Sequence, residues 1–111
     1  MDECLFCKIT RGEIPAEKII ENEHVVGFKD IYPQASHHFL FIHKEHTKNL
    51  MDTSGDQLNQ IFNTIKEYAK TQNIEEDGFR VVTNCGPNAG QTVFHTHFHL
   101  VYGEKLKGFG S

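Results

Sequence analysis

Near the C-terminal end of this 111-residue chain, three histidines stand at alternate positions in Phe94-His95-Thr96-His97-Phe98-His99-Leu100-Val101. A β-strand has a side-chain period of two, so the spacing predicts His95, His97 and His99 on one face, roughly 6.5–7 Å apart in order. Phe94, Thr96, Phe98 and Leu100 then point the other way, against a core. Three imidazoles on one face of a mostly apolar strand carry a burial cost that a fold keeps only for a use. Aligned this way they can bind a metal. They can also divide into a nucleophile and its helpers, since the middle ring has a neighbour on each side. The remaining alternative is a solvated edge strand that happens to be rich in histidine.

The stretch ahead of them, Asn84-Cys85-Gly86-Pro87-Asn88-Ala89-Gly90-Gln91-Thr92, is a loop by composition. Glycine and small residues let backbone N–H groups converge on an anion, and Thr92 adds a hydroxyl. Most glycine-rich loops are merely tight connections. Followed directly by His-x-His-x-His, this one reads as a phosphate cradle that delivers phosphorus to a histidine.

Gly90 to Val101 resembles the signature of the histidine triad (HIT) superfamily, in particular its histidine-triad nucleotide-binding branch. The resemblance extends over Cys4-Leu5-Phe6-Cys7-Lys8-Ile9, Gly12-Glu13-Ile14-Pro15-Ala16, Phe28-Lys29-Asp30-Ile31-Tyr32-Pro33-Gln34-Ala35 and His38-Phe39-Leu40, which span nearly the whole chain in order. It implies a nucleoside phosphoramidate hydrolase working through a nucleotidyl-histidine. His97 would be the nucleophile, His99 a donor to a phosphoryl oxygen, and Thr92 a contact to an oxygen or a source of the leaving group's proton. His38 would shape the proton path. Phe6, Ile9, Phe28 and Ile31 would wall a purine pocket, Asp30 would accept from the ribose hydroxyls, and Asn84 and Gln91 would donate on the phosphate or ribose side. The third triad position is His99, where the nucleotidyltransferase branch has glutamine, which favours hydrolysis over transfer. Alternatives are a dinucleoside polyphosphate hydrolase, or a non-catalytic nucleotide- or metal-binding module.

Cys4-x-x-Cys7 has three readings: half of a zinc site, a redox pair, or two core cysteines. The strand-to-helix context of redox pairs is missing. Zinc needs two further ligands, for which His46 and His95 are the best candidates. The chain here is similar to members with a Cys/Cys/His/His structural zinc, which would pin the N-terminal segment to the sheet and leave His97 free. Catalysis itself would need no cofactor.

The elements that must position these residues are few. A short helical pattern follows Cys4 and stops near Arg11-Gly12, and Pro15 breaks the chain after it. Lys18–Glu21 and His24–Phe28 read as strands joined by Asn22-Glu23, and His38–His43 as a third. Asp52 to Gln72 is the one long helix, with Leu58, Ile61, Phe62, Ile65, Tyr68 and Ala69 as its apolar stripe, Thr53 or Ser54 as its cap and Asn73 as its end. Phe79–Thr83 and the histidine strand complete five. This order predicts a single α+β domain over residues 1–111, with an antiparallel five-stranded sheet, one long helix and one short one. The resemblance adds a two-fold homodimer with the sheet continued across it.

Bulk composition narrows the function classes. A formal charge of −4, a sequence pI near 6.0 and the lack of a Lys/Arg run argue against a nucleic-acid binder. No long apolar run marks a signal peptide or a membrane span, and three cysteines fit a reducing compartment, hence a cytoplasmic protein. Thr96 replaces the apolar residue usual between the first two triad histidines, and the tail Gly108-Phe109-Gly110-Ser111 is shorter than in relatives whose C-terminus shapes the leaving-group side. His37, His43 and Cys85 receive no role.

Overall fold

The computed structural model describes residues 4–109. Its elements are α1 (Leu5–Thr10), β1 (Lys18–Glu21), β2 (Val25–Lys29), β3 (His37–His43), α2 (Gly55–Thr71), β4 (Arg80–Val82) and β5 (His97–Tyr102), with 3-10 turns at Leu50–Asp52 and Pro87–Ala89. The strands form one antiparallel sheet in the order β1-β2-β3-β5-β4. The chain therefore leaves β3, crosses in α2 to the outer edge strand β4, and returns to insert β5 into the interior. The expected α+β class, strand number and helix pair are all present.

Each helix covers one face of the sheet. The α2 stripe of Ile61, Ile65, Tyr68 and Ala69 packs with Val25, Phe39, Phe41, Phe98, Leu100 and Tyr102. On the other face Phe6 and Ile9 of α1 pack with Val26, Phe28, Leu40 and Ile42. Directly opposed residues of an antiparallel pair share a face. His97 stands opposite Ile42 and His99 opposite Leu40, so both imidazoles lie on the α1 side. Gly27 allows close packing on β2: a Cβ there would come within 2.9 Å of both Ile20 and the Phe41 ring.

Local signals set the ends of the helices. Ser54 caps α2 in a reciprocal capping box with Gln57, so the helix starts at Gly55 and the residues from Leu50 to Asp52 form a separate turn instead of its first residues. Asn73 leaves the helix with φ 57°, a conformation asparagine tolerates. Phe62 is 40% exposed rather than core, although its ring meets Phe98 at 5.1 Å.

The histidine strand is shorter than its alternating pattern suggests. β5 begins at His97, because its partner β3 ends at His43 and the chain turns away at Lys44-Glu45. His95 lies ahead of the ladder, and Phe94 is 44% exposed instead of packing in a core. Thr96 is buried by a different device. Its N–H donates to the Thr47 carbonyl at 2.8 Å, and its Oγ1 accepts from Thr47 at 2.8 Å and Thr53 at 3.1 Å. A hydroxyl thus fits at this buried position, 2% exposed.

Candidate active site and metal centre

Four backbone or ring contacts fix which nitrogen of each histidine carries a proton. The Gln34 N–H donates to His38 Nδ1 at 3.0 Å, so that nitrogen is the acceptor and Nε2 holds the hydrogen. His38 Nε2 then donates to His99 Nδ1 at 2.8 Å, which leaves His99 with Nε2–H as a free donor. His97 is set the other way: its Nδ1–H donates to the His95 carbonyl at 2.8 Å, which leaves the Nε2 lone pair unclaimed. His95 donates through Nε2 to the His43 carbonyl at 2.9 Å, so its lone pair is on Nδ1. Neighbouring rings of one short segment are thereby given opposite roles.

Burial keeps these rings neutral. Desolvation lowers the pKa of His97, and it takes His99 down to about 4, helped by repulsion from His97 and His38. His38 is lowered by burial as well, partly offset by the Asp30 carboxylate, whose Oδ2 lies 3.4 Å from His38 Nε2. Asp30 combines two tasks: its Oδ1 accepts from the Tyr32 N–H at 2.8 Å and closes the turn after β2.

His97 and His99 open onto a cavity of about 830 Å³, which is large enough for a nucleotide. Phe6, Ile9, Phe28 and Ile31 wall it, and Asp30, His38 and Thr92 also line it. Phe6 holds His97 edge-on, with ring centroids 5.1 Å apart. Two expected donors lie elsewhere. Asn84 lines a smaller recess of about 420 Å³ on the other side of the His38–His99 pair. Gln91 is buried and braces the loop: its Oε1 accepts from the Gly86 N–H, and its Nε2 donates to the Lys48 and Val93 carbonyls. No local pattern in the sequence distinguishes such a brace from a ligand donor.

Cys4, Cys7, His46 and His95 converge in one group, with the His95 ring 6.0 Å from that of Phe6. Cys4 Sγ is 3.3 Å from His95 Nδ1, Cys7 Sγ is 3.2 Å from His46 Nδ1 and 3.5 Å from His95 Nδ1, and the two Nδ1 atoms are 3.2 Å apart. A tetrahedral ion with bonds of about 2.3 Å to sulfur and about 2.0 Å to nitrogen has S–N and N–N edges of about 3.3–3.6 Å. These four distances come close to that spacing, and all four donor atoms lie within 4.8 Å of one another, so the group could bind a metal ion. Burial, with the neighbouring Cys4, pushes the Cys7 thiol up to about 11, a shift that a cation among the donors reverses. Asp30, His38 and His99 also bring three metal-ligating atoms together. There the His38 and His99 nitrogens already pair with each other, and the remaining His38 lone pair is taken by Gln34.

Of the histidines given no role from sequence, His43 supports the metal-donor group and His37 packs on the opposite, α2 side of the sheet. His43 fixes His95 through its carbonyl, and its own ring is held by Gln60 at 2.6 Å and the Glu45 N–H at 3.0 Å. His37 stacks on Tyr102 with centroids 4.5 Å apart.

Comparison with known proteins gives one consistent picture. The sequence model of the HIT domain matches residues 11–106. An uncharacterized HIT-like protein of Helicobacter pylori is 41% identical over 101 residues, covering 91% of this chain and 97% of that one. The solved structure of a HIT family hydrolase from Clostridium thermocellum superposes with a TM-score of 0.91 at 39% identity, covering 98% of this chain and 97% of that one. A histidine triad nucleotide-binding protein from Candida albicans gives a TM-score of 0.83 at 34% identity, over 98% and 86% of the respective chains.

Proposed function

The chain belongs to the HIT family, and on that premise we propose that it hydrolyses purine nucleoside 5′-phosphoramidates, conjugates of AMP or GMP, to the nucleoside monophosphate. The observation that carries this reading is the opposed tautomers: the His97 Nε2 lone pair and the His99 Nε2–H face one cavity whose inner walls are apolar. A base stacks among Phe6, Ile9, Phe28 and Ile31, the ribose hydroxyls reach Asp30, and the phosphoryl group comes to rest over the two rings.

The His97 lone pair attacks phosphorus, forming an N–P bond while the P–N bond to the amine breaks. The amine leaves with its electron pair and takes a proton from Thr92 or from water at the cavity mouth. His99 donates to a phosphoryl oxygen as charge builds there. The phosphorylated ring of His97 is cationic, and the His95 carbonyl already accepts from its Nδ1–H. Water then attacks phosphorus, the N–P bond returns its pair to His97, and the water's proton replaces the one given to the amine.

Zinc suits the Cys4, Cys7, His46 and His95 set, where it would supply a tetrahedral tie between α1 and the segment before β5. No helix among the described residues is long and apolar enough to cross a membrane. We read the chain as a single domain over residues 1–111 that works as a cytoplasmic homodimer.

The decisive experiment is acid-free quenching of a reaction with adenosine 5′-[³²P]phosphoramidate, followed by mapping of the label. Label on His97, and a fall of at least about 10³-fold in turnover for a folded His97→Ala variant, are the expected results. Substrate consumed without an adduct, or undiminished hydrolysis by that variant, would refute the reading.

A further inference from the structure

We propose that the recess beside His99 is the seat of the leaving group, and that it selects leaving amines carrying a negative charge. This rests on the phosphoramidase reading and adds a substrate class to it. The recess and the larger cavity share Gln34, His38 and His99, so the two meet at the ring that faces the phosphoryl oxygens. Val101 lines the recess and His97 does not, which places it on the side of His99 away from the nucleophile. A group expelled from phosphorus departs away from the attacking nitrogen, and of the two spaces the recess is the one that borders His99 without bordering His97.

Charge differs sharply between the two spaces. The larger cavity carries Glu17 and Asp30 against Lys29. The recess carries Arg80, Lys105 and Lys107 against Glu104. Glu104 is already engaged, since its Oε1 accepts from both the N–H and the Oγ of Ser36 at 2.6 Å. Among the described residues none of Arg80, Lys105 and Lys107 has an acidic partner within ion-pair distance. In a chain of net charge −4, a cationic recess next to the reactive rings is a local arrangement that the bulk composition opposes.

The wall is also held in place. Arg80 faces the same side of the sheet as the histidines, being opposite Val101 across the β4–β5 ladder, and its Nη1 donates to the Lys107 carbonyl at 2.9 Å. With the Ser36–Glu104 contact, this ties the segment after β5 down at both ends. A carboxylate or phosphate two to four bonds from the departing nitrogen would meet the three cations there. A neutral amine would gain nothing from them.

The test compares adenosine 5′-phosphoramidates of glycine and of O-phosphoethanolamine with those of glycinamide and ethanolamine, and with the unsubstituted phosphoramidate. Partly exposed cations acting together set the expected preference in kcat/KM at about tenfold for each charged amine over its neutral counterpart. The ratio between the two charged arms identifies carboxylate or phosphate as the favoured anion. Raising ionic strength to about 0.5 M should shrink the preference, because screening then acts within a few ångströms. In the variant Lys105→Met/Lys107→Met the preference should fall to below about threefold, through loss of kcat/KM for the two charged amines. Equal turnover of charged and neutral amines by the unmodified protein would overturn the leaving-group assignment alone. Failure to turn over any of the five would overturn the phosphoramidase reading with it.

Discussion

His97 and His99 are two residues apart, yet one presents a lone pair to the cavity and the other a hydrogen. The difference comes from outside the rings: the His95 carbonyl for one, and the Gln34–His38 relay for the other. Protonating His99 would put hydrogens on both sides of the 2.8 Å His38–His99 contact and break the relay. Since burial, chiefly, lowers the pKa of both rings, His99 to about 4, that event is displaced to acid. The acid limb of the turnover profile should therefore lie below the usual histidine value near 6.5. Stability follows the same sign. Between the folded and unfolded pKa values the unfolded chain binds more protons, so these rings' contribution is whole above about pH 6.5 and is lost as pH falls through the folded values. An acid limb at pH 7 or higher in kcat/KM would contradict the burial of the pair.

At the level of elements, the segment just before β5 is where the chain departs most from its own pattern. Alternation of His and apolar residues predicts a strand from Phe94, but the ladder can run only as far as its partner, and β3 ends at His43. Thr96 consequently joins Thr47 and Thr53 in a cluster of hydroxyls, where it is 2% exposed. Thr96→Val has the same shape without the acceptor, and should cost about 1–3 kcal/mol in denaturant unfolding, whereas Thr96→Ser should cost less than half of that. Equal losses for the two would show that the methyl group, not the hydroxyl, matters there. What the sequence made legible follows the same division. The α2 stripe, the hairpin at Asn22-Glu23 and the positions of His97, His99, Phe6 and Asp30 could be read because each depends on local period or on a motif. The role of Gln91 as a brace, the exposure of Phe62 and Phe94, and the service of His43 to His95 could not, because each is decided by partners dozens of residues away.

For the molecule as a whole, the short α1 helix is the least supported part of the site. It has six residues, too few to be stable alone, and it supplies Phe6 and Ile9 to the cavity. Its attachments are the apolar contacts to β2 and β3 and the four-donor cluster. Cys4→Ser should abolish stoichiometric zinc in elemental analysis. It should also speed amide exchange in residues 5–10 by at least about tenfold, with little change in α2. Zinc retained in that variant would contradict the ligand set, and unchanged exchange would show that apolar packing alone holds the helix.

His95 belongs to both centres at once. Its imidazole looks toward the cysteines, while its peptide oxygen accepts from the His97 ring that lines the cavity. Thermodynamic reciprocity then sets the terms of any coupling: whatever factor an ion at the thiol cluster applies to nucleotide affinity, the nucleotide must apply to the ion's. A chelator titration with and without AMP would report on the chemistry next door without a single turnover.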